Sequence, residues 1–368
     1  MHFEKALIVG PPNAGGCRAN MANVGGKTVK WEGIMVTVRE SWLAQTVEEP
    51  IDPDLPICDP HHHFWDTADV RYLLDDLLQD TGQGHNIVST VFMECESMYR
   101  QTGPEEMRPV GETEFVQGIA AQSASGGWGP TVVAGGIVGF ADLTLGSAVS
   151  EVLEAQAAAS PNRFRGIRHR AAWDARIAAS TSQVSGPGLF LDKKFREGLA
   201  CVQTLGMTFD AWVYHPQLAD LVDLARAFPD LTMIMNHVGG LLGVGPYASQ
   251  REKVFQEWKD SIAEVAARPN VVVKLGGLGM PRGGFGWHER DVPPTSTELA
   301  EATGPYYLHC IEQFGVDRCM FESNFPVDKA SYPYGVMWNS FKRIAQGFSA
   351  AERAALFRDT AVRVYRIG

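Results

Sequence analysis

Three consecutive histidines, His61, His62 and His63, stand in the stretch Asp59-Pro-His-His-His-Phe-Trp-Asp66. On an extended segment side chains alternate, so His61 and His63 project to one face and His62 to the other. Two neutral imidazoles on one face suit a divalent ion, zinc or manganese. A His-x-His pair also serves as an ordinary satisfied polar pair, and His62 reads as structural. His215 and His237 each follow a short apolar run. Imidazole titrates near neutrality, which suits proton transfer to or from water or a leaving oxygen. On this reading His215 is a third metal ligand and His237 a general acid or base. A lone histidine on a partly apolar strand is more often core, so only a shared location makes these two a site.

Charged residues of both signs stand at similar places. Arg168 and His169, with Arg165 nearby, would form a cationic pocket, because guanidinium grips a carboxylate through two parallel bonds. The alternative is an arginine paired to an acid such as Asp142 or Asp174. Lys274 ends another apolar run and is a further candidate for substrate contact. The segment Gly276–Pro294 is too glycine-rich for a helix and longer than an ordinary connection, as lids and substrate walls often are. Arg282, Trp287 and His288 are its candidate contacts, and Trp65, Tyr99 and Trp173 are candidate pocket walls.

These residues need a scaffold that brings them together. From residue 51, short β-branched runs alternate with helical patterns, the signature of βα units around a parallel sheet. Apolar runs lead into His61–His63, Glu94, Asp142, Arg168-His169, His215, Asn236-His237, Lys274 and Glu322-Ser-Asn324. Helices are expected at 114–125, 147–159, 194–205, 217–228, 251–268 and 297–314, and a final one after Ser349, where Ser349 and Glu352 form a capping arrangement. Eight repeats fit an α/β fold, a (β/α)8 TIM barrel over residues 51–368. Its catalytic rim would gather the residues named above. Six of the ten histidines fall at these strand ends, which argues for a site.

Composition sets the outer bounds. Of 368 residues, 45% are hydrophobic, which excludes a disordered or collagen-like chain. No apolar run approaches the ~20 residues of a membrane helix. Forty-three acidic against 32 basic residues give a net charge of −11, a field that opposes nucleic-acid binding. The six cysteines are scattered without a Cys-x-x-Cys pair and read as reduced thiols. Residues 1–50 read as an irregular N-terminal arm, the natural contact of a homo-oligomer or in part an untranslated leader, with Met35 an alternative start. Gly10–Gly15 begins like a phosphate loop, but Gly16 and Cys17 replace the required lysine and hydroxyl. The run Ala6–Val9 is too short for a secretory signal core, so a cytoplasmic enzyme is expected.

The ordered set DPHHHFWD at 59–66, FRGIRH at 164–169, YHP at 214–216, NHVGG at 236–240, VKLGG at 273–277 and FESNFPVD at 321–328 resembles the amidohydrolase-2 branch of the amidohydrolase superfamily. Within it the likeness is to lactonase-like metal-dependent hydrolases, the group of L-fuconolactonase and 2-pyrone-4,6-dicarboxylate lactonase. The resemblance covers residues 51–368 and implies a distorted TIM barrel. It also implies that His61 and His63 match the first-strand metal pair, His215 the fifth-strand histidine and His237 the sixth-strand one. The family usually carries an aspartate after strand eight that binds metal and takes the proton from the attacking water. Asn324 stands there, and an amide is no base at neutral pH. Glu322 and Glu94 are the carboxylates that could replace it. Lys274 lies at strand seven rather than strand four, where some members bridge two metals, so at most one ion is expected. The resemblance implies a hydrolase opening a lactone or similar cyclic ester of a small, anionic, carboxylated compound. The alternatives are a non-oxidative decarboxylase of an aromatic or unsaturated acid, and a metal-free binding barrel.

Overall fold

The computed structural model describes residues 27–31, 34–67, 70–177 and 186–368. Eight parallel strands follow one another around a nearly closed barrel, paired in chain order from β1 to β8. They are β1 (Ile57–His62), β2 (Ile87–Met93), β3 (Val132–Gly139), β4 (Phe164–Arg170), β5 (Thr208–Trp212), β6 (Met233–Met235), β7 (Val271–Leu275) and β8 (Cys319–Phe321). A helix follows each: α1 (Leu74–Thr81), α2 (Val110–Ala124), α3 (Ser150–Ala159), α4 (Lys193–Thr204), α5 (Leu218–Ala227), α6 (Arg251–Ala266), α7 (Ser296–Phe314) and α8 (Tyr334–Ile344). The expected (β/α)8 barrel is the observed fold. The six helices expected between strands, α2 to α7, lie within a few residues of their expected bounds, whereas α1 and α8 are not among the expected helices. Ser349 caps its helix as expected, accepting from the Glu352 N–H while Glu352 accepts from the Ser349 N–H at 2.8 Å.

Alternation along the strands sorts side chains between two apolar layers. One holds Cys58, Val91, Met93, Val138, Ile234, Val272 and Met320 together with Ala361, Val364 and Tyr365 of the C-terminal helix Thr360–Tyr365. The other, much larger, packs the strands against the helices. Above the first layer the barrel interior turns polar. Lys274 on β7 sits 3.0 Å from Asp210 on β5, and Tyr365 donates to the same Asp210 oxygen at 2.8 Å. This buried ion pair floors the site.

The barrel closes at its rim rather than along its strands. The pairing of β1 with β2 slips one residue between Asp59 and His62, where Pro60 has no N–H for the ladder. Beyond the bulge, the His63 N–H donates to Phe325 O and the Asn324 N–H donates to His61 O. Asp59 accepts from the Ser323 N–H at 3.0 Å and from Tyr334 OH at 3.0 Å, tying β1 to the turn after β8. The histidine segment and the strand-eight turn therefore form one hydrogen-bonded unit.

The segment Arg39–Glu49 lies along the barrel as a strap. Trp42 donates its indole N–H to Arg290 O, Thr46 its hydroxyl to Pro293 O, and Glu48 accepts from the Ser296 N–H and the Asn339 amide. Over these residues the segment read as an irregular arm packs on the barrel. Before it, Lys27–Trp31 and Ile34–Val38 pair as an antiparallel hairpin. The glycine loop Gly10–Gly15 considered for phosphate binding lies outside the described residues.

Candidate active site

Glu322 follows β8 directly, and its carboxylate lies between two histidines. His237 donates its ring Nδ1–H to Oε1 at 2.6 Å and its backbone N–H to the same oxygen at 3.2 Å. The other oxygen, Oε2, lies 2.7 Å from His61 Nδ1 but forms no hydrogen bond among the described residues. His61, His237 and Glu322 are all buried, and each offers one ligand atom within 4.8 Å of the others. His63 stands beside them, with its ring centroid 4.9 Å from that of His61.

Local backbone makes this crowding feasible. His237 sits at φ 53° and Asn324 at φ 57°, left-handed conformations that non-glycine residues rarely adopt. The wall after β7 must be glycine: a Cβ on Gly276 would lie 2.4 Å from Glu322 Cγ, and one on Gly277 would lie 2.5 Å from His237 Cγ. Gly277 also has φ +72°.

Burial sets the protonation of the histidines. It drives His61 well below its ordinary pKa, helped by Lys274 and the neighbouring rings, and His63 likewise, helped by Arg168. Both are neutral imidazoles, the form that binds metal. His63 donates Nδ1–H to Met93 O at 2.8 Å, since a carbonyl only accepts, which leaves the lone pair on Nε2. Arg168, Arg170 and Lys274 each have a carboxylate beside them. Arg168 donates to Glu94 Oε1 at 2.7 Å and to the Glu94 carbonyl, while its Nη1 lies 3.3 Å from His61 Nε2. Burial alone would raise Glu94, but Arg170 and Arg168 hold it below the usual carboxylate range.

The donor set fits a divalent ion. Glu322 is a buried carboxylate with an oxygen that has no hydrogen bond, an expensive arrangement unless a cation compensates it. Nitrogen and oxygen donors from two histidines and one carboxylate suit zinc or manganese.

The structure brings together His61, His63, His237, Glu322, Asn324, Arg168, Glu94 and Lys274, but not every residue expected there. His215 stands apart from the cluster: its Nδ1 accepts the Leu242 N–H at 3.2 Å and its ring packs on Tyr247. That bond puts the proton of the neutral ring on Nε2, the tautomer a metal would have to displace. His169 points away from the barrel axis, because on β4 it alternates with Arg168 and Arg170. It is wedged between Phe140 and Phe195, and burial pushes it down to about 4. Arg165 bonds Tyr365 O near the start of β4, away from the rim. Arg168 is the partner of Glu94, so the acid it pairs is neither Asp142 nor Asp174. Lys274 belongs to the floor. Arg282 donates to Tyr214 OH and lies over Trp212, whose ring meets His237 edge-on at 4.7 Å. Trp287 packs on Phe285 and Arg290, beside the residues that the strap holds.

Comparison with known proteins follows the same lines. The amidohydrolase family model Amidohydro_2 matches residues 58–367. The chain belongs to the amidohydrolase family. An uncharacterized protein, y4mH, of Sinorhizobium fredii is 31% identical over 339 residues, spanning 85% of this chain and 99% of that protein. The L-fucono-1,5-lactonase of Burkholderia multivorans is 24% identical, spanning 84% of this chain and 95% of the lactonase. Among solved structures, an amidohydrolase from Burkholderia multivorans with bound zinc is 23% identical with a TM-score of 0.64, covering 85% of this chain and 99% of that one. A 2,6-dihydroxybenzoate decarboxylase shares the fold at a TM-score of 0.51 and 14% identity, covering 84% of this amidohydrolase and 99% of the decarboxylase. No helix among the described residues is long and apolar enough to cross a membrane.

Proposed function

We propose that this amidohydrolase is a metal-dependent hydrolase that opens a lactone or similar cyclic ester of a small, anionic compound. The observation that carries the reading is the carboxylate of Glu322 set between His61 and His237. These three residues would hold one divalent ion, zinc or manganese, with His63 beside them. When bound, such an ion supplies Lewis acidity towards a carbonyl oxygen and makes water a better nucleophile at neutral pH.

The chain's own groups then divide the work. Glu322 takes the ligand part of the aspartate that Asn324 replaces: Oε1 is anchored by His237, and Oε2 is the oxygen turned towards the ion site. Glu94 is a poor base, since two arginines stabilise its charge; it holds Arg168 in place instead. Arg168 reaches His61 Nε2 and contributes positive potential for an anionic substrate. Arg282, over Trp212 and Tyr214, contributes a second cationic group from the long loop. Support for the lactone comes from the lactonase named above, whose alignment with this chain spans 95% of the lactonase and 84% of this chain.

Decarboxylation is the second reading, favoured by Asn324, because loss of carbon dioxide needs no base to activate water. A pH-stat assay over a panel of sugar-acid and aromatic lactones is expected to register acid release that chelation abolishes and zinc or manganese restores. Carbon dioxide release from hydroxybenzoates, without lactone opening, would overturn the hydrolase reading. Full activity after exhaustive chelation would overturn the metal.

A further inference from the structure

Asn324 does not take its orientation from the site it faces. Its Nδ2 donates to Asp328 Oδ1 at 2.8 Å, and its Oδ1 is thereby turned to lie 3.4 Å from His63 Nε2. Asp328 is fully buried on the short turn Asp328–Ala330 and is itself held at both oxygens. Its Oδ2 accepts from Tyr332 OH at 2.6 Å and from the Gly279 N–H at 3.0 Å. The fit around that oxygen is close, since a Cβ on Gly279 would lie 2.5 Å from Tyr332 OH and 2.7 Å from the Asp328 carboxylate. An ionised carboxylate only accepts, so the amide can meet it only with its NH2 group. The carbonyl oxygen must then face His63, whose Nε2 carries a lone pair because Nδ1 donates to Met93 O.

We infer that Asp328 is a positioning residue, which locks the Asn324 amide so that Asn324 Oδ1 and His63 Nε2 present two electron-pair donors side by side to a cation at the edge of the His61–His237–Glu322 cluster. This explains how an asparagine serves at a position where a carboxylate would need no such help. A carboxylate offers oxygen whichever way it turns; an amide offers oxygen in one of two orientations, and a fixed acceptor behind it selects that one. Free to turn, Asn324 would donate to His63 Nε2 and occupy the lone pair. The inference rests on the metal-site reading for its consequence but not for its geometry, so two readouts separate them.

The first readout is the ring nitrogens of His63 in the metal-free, full-length protein, followed by NMR after 15N-histidine labelling. In Asp328→Asn the amide is released, and the His63 Nε2 resonance is expected to move towards the hydrogen-bonded range. Tyr332→Phe, which loosens Asp328 and keeps every charge, is expected to move it the same way by less. The double variant Asn324→Asp/Asp328→Asn returns it towards the wild-type position. The second readout is zinc affinity by calorimetry, expected to fall about 10–100-fold in Asp328→Asn and to recover in the double variant. A His63 resonance unchanged in folded Asp328→Asn or Tyr332→Phe would overturn the inference. If the wild type takes up no zinc, the metal reading fails, and the His63 resonance still decides what Asp328 does.

Discussion

Glu322 and His237 are joined twice through one oxygen, by the ring Nδ1–H at 2.6 Å and by the backbone N–H at 3.2 Å, so the carboxylate cannot turn without breaking both. The contact fixes which oxygen is anchored and which is left towards His61. It also makes Glu322 costly to the fold, because a buried carboxylate without a hydrogen bond on one oxygen is a desolvated charge. Glu322→Gln keeps the volume and removes the charge. Zinc affinity and hydrolytic rate are expected to fall by two orders of magnitude or more, on the order of the loss of a metal ligand. The metal-free variant is expected to melt no lower than the metal-free wild type. Calorimetry and thermal unfolding check the two halves. A variant that melts several degrees lower would mean that the carboxylate stabilises the empty site.

Arg168 and Glu94 form a buried pair, 1% and 0% exposed, joined at 2.7 Å. Removing one partner leaves the other charged and desolvated, which costs about 3–5 kcal/mol. Arg168→Met and Glu94→Met should each destabilise by that order. Arg168→Met/Glu94→Met should cost much less than their sum, because apolar residues of similar volume replace the pair. Urea unfolding of the four proteins reads the cycle. Additive losses would mean that each residue stabilises the fold through other neighbours.

The barrel was legible because its signal is local. Each apolar run is short, most carry β-branched residues, each leads into a polar residue, and the repeat occurs eight times. The same logic located His61, His237 and Glu322 at one rim. It failed for His169 and His215 for reasons that lie in three dimensions. On β4 the inward positions belong to Arg168 and Arg170, so the histidine between them faces the helices. His215 begins the short turn His215–Gln217, which hands its Nδ1 to Leu242 rather than to the axis. Asp210 and Asp328 were passed over because neither stands at a strand end. An aspartate inside the apolar run Thr208–Trp212 was nevertheless a signal, since a charge there needs a partner, and Lys274 is that partner. Asp328 left no comparable mark; only the turn geometry brings it to Asn324.

Trp42 connects the N-terminal strap to the loop that supplies Arg282. It is 5% exposed, and its indole N–H holds Arg290 O at 2.9 Å, while Arg39 donates to His288 O. Trp42→Ala is expected to destabilise by about 3–5 kcal/mol, the usual cost of removing a large buried aromatic. Hydrogen exchange should then speed up at 286–294 more than in the strands. Uniform acceleration across the barrel would show that the strap stabilises the whole fold and not this loop.

Glu112 gives the stability a pH dependence of definite sign. Burial and the nearby charge of Glu94 push its carboxyl up to about 8, against 4.5 for an unperturbed glutamate. Native Glu112 therefore keeps a proton between those limits that the unfolded chain releases. The stability tied to that proton is fully present below 4.5 and is lost as pH rises through about 8. Glu112→Gln has no such proton, and its amide oxygen can still accept the Cys95 and Ser97 N–H groups that Glu112 Oε1 accepts now. The wild type is thus expected to lose stability relative to Glu112→Gln as the pH is raised from about 5 to about 8.5. Denaturant unfolding at several pH values measures the difference, in which groups common to both proteins cancel. Parallel curves would mean that Glu112 is already ionised in the folded protein, with its charge carried by the Cys95 and Ser97 N–H groups and by Arg168 and Arg170 beyond Glu94.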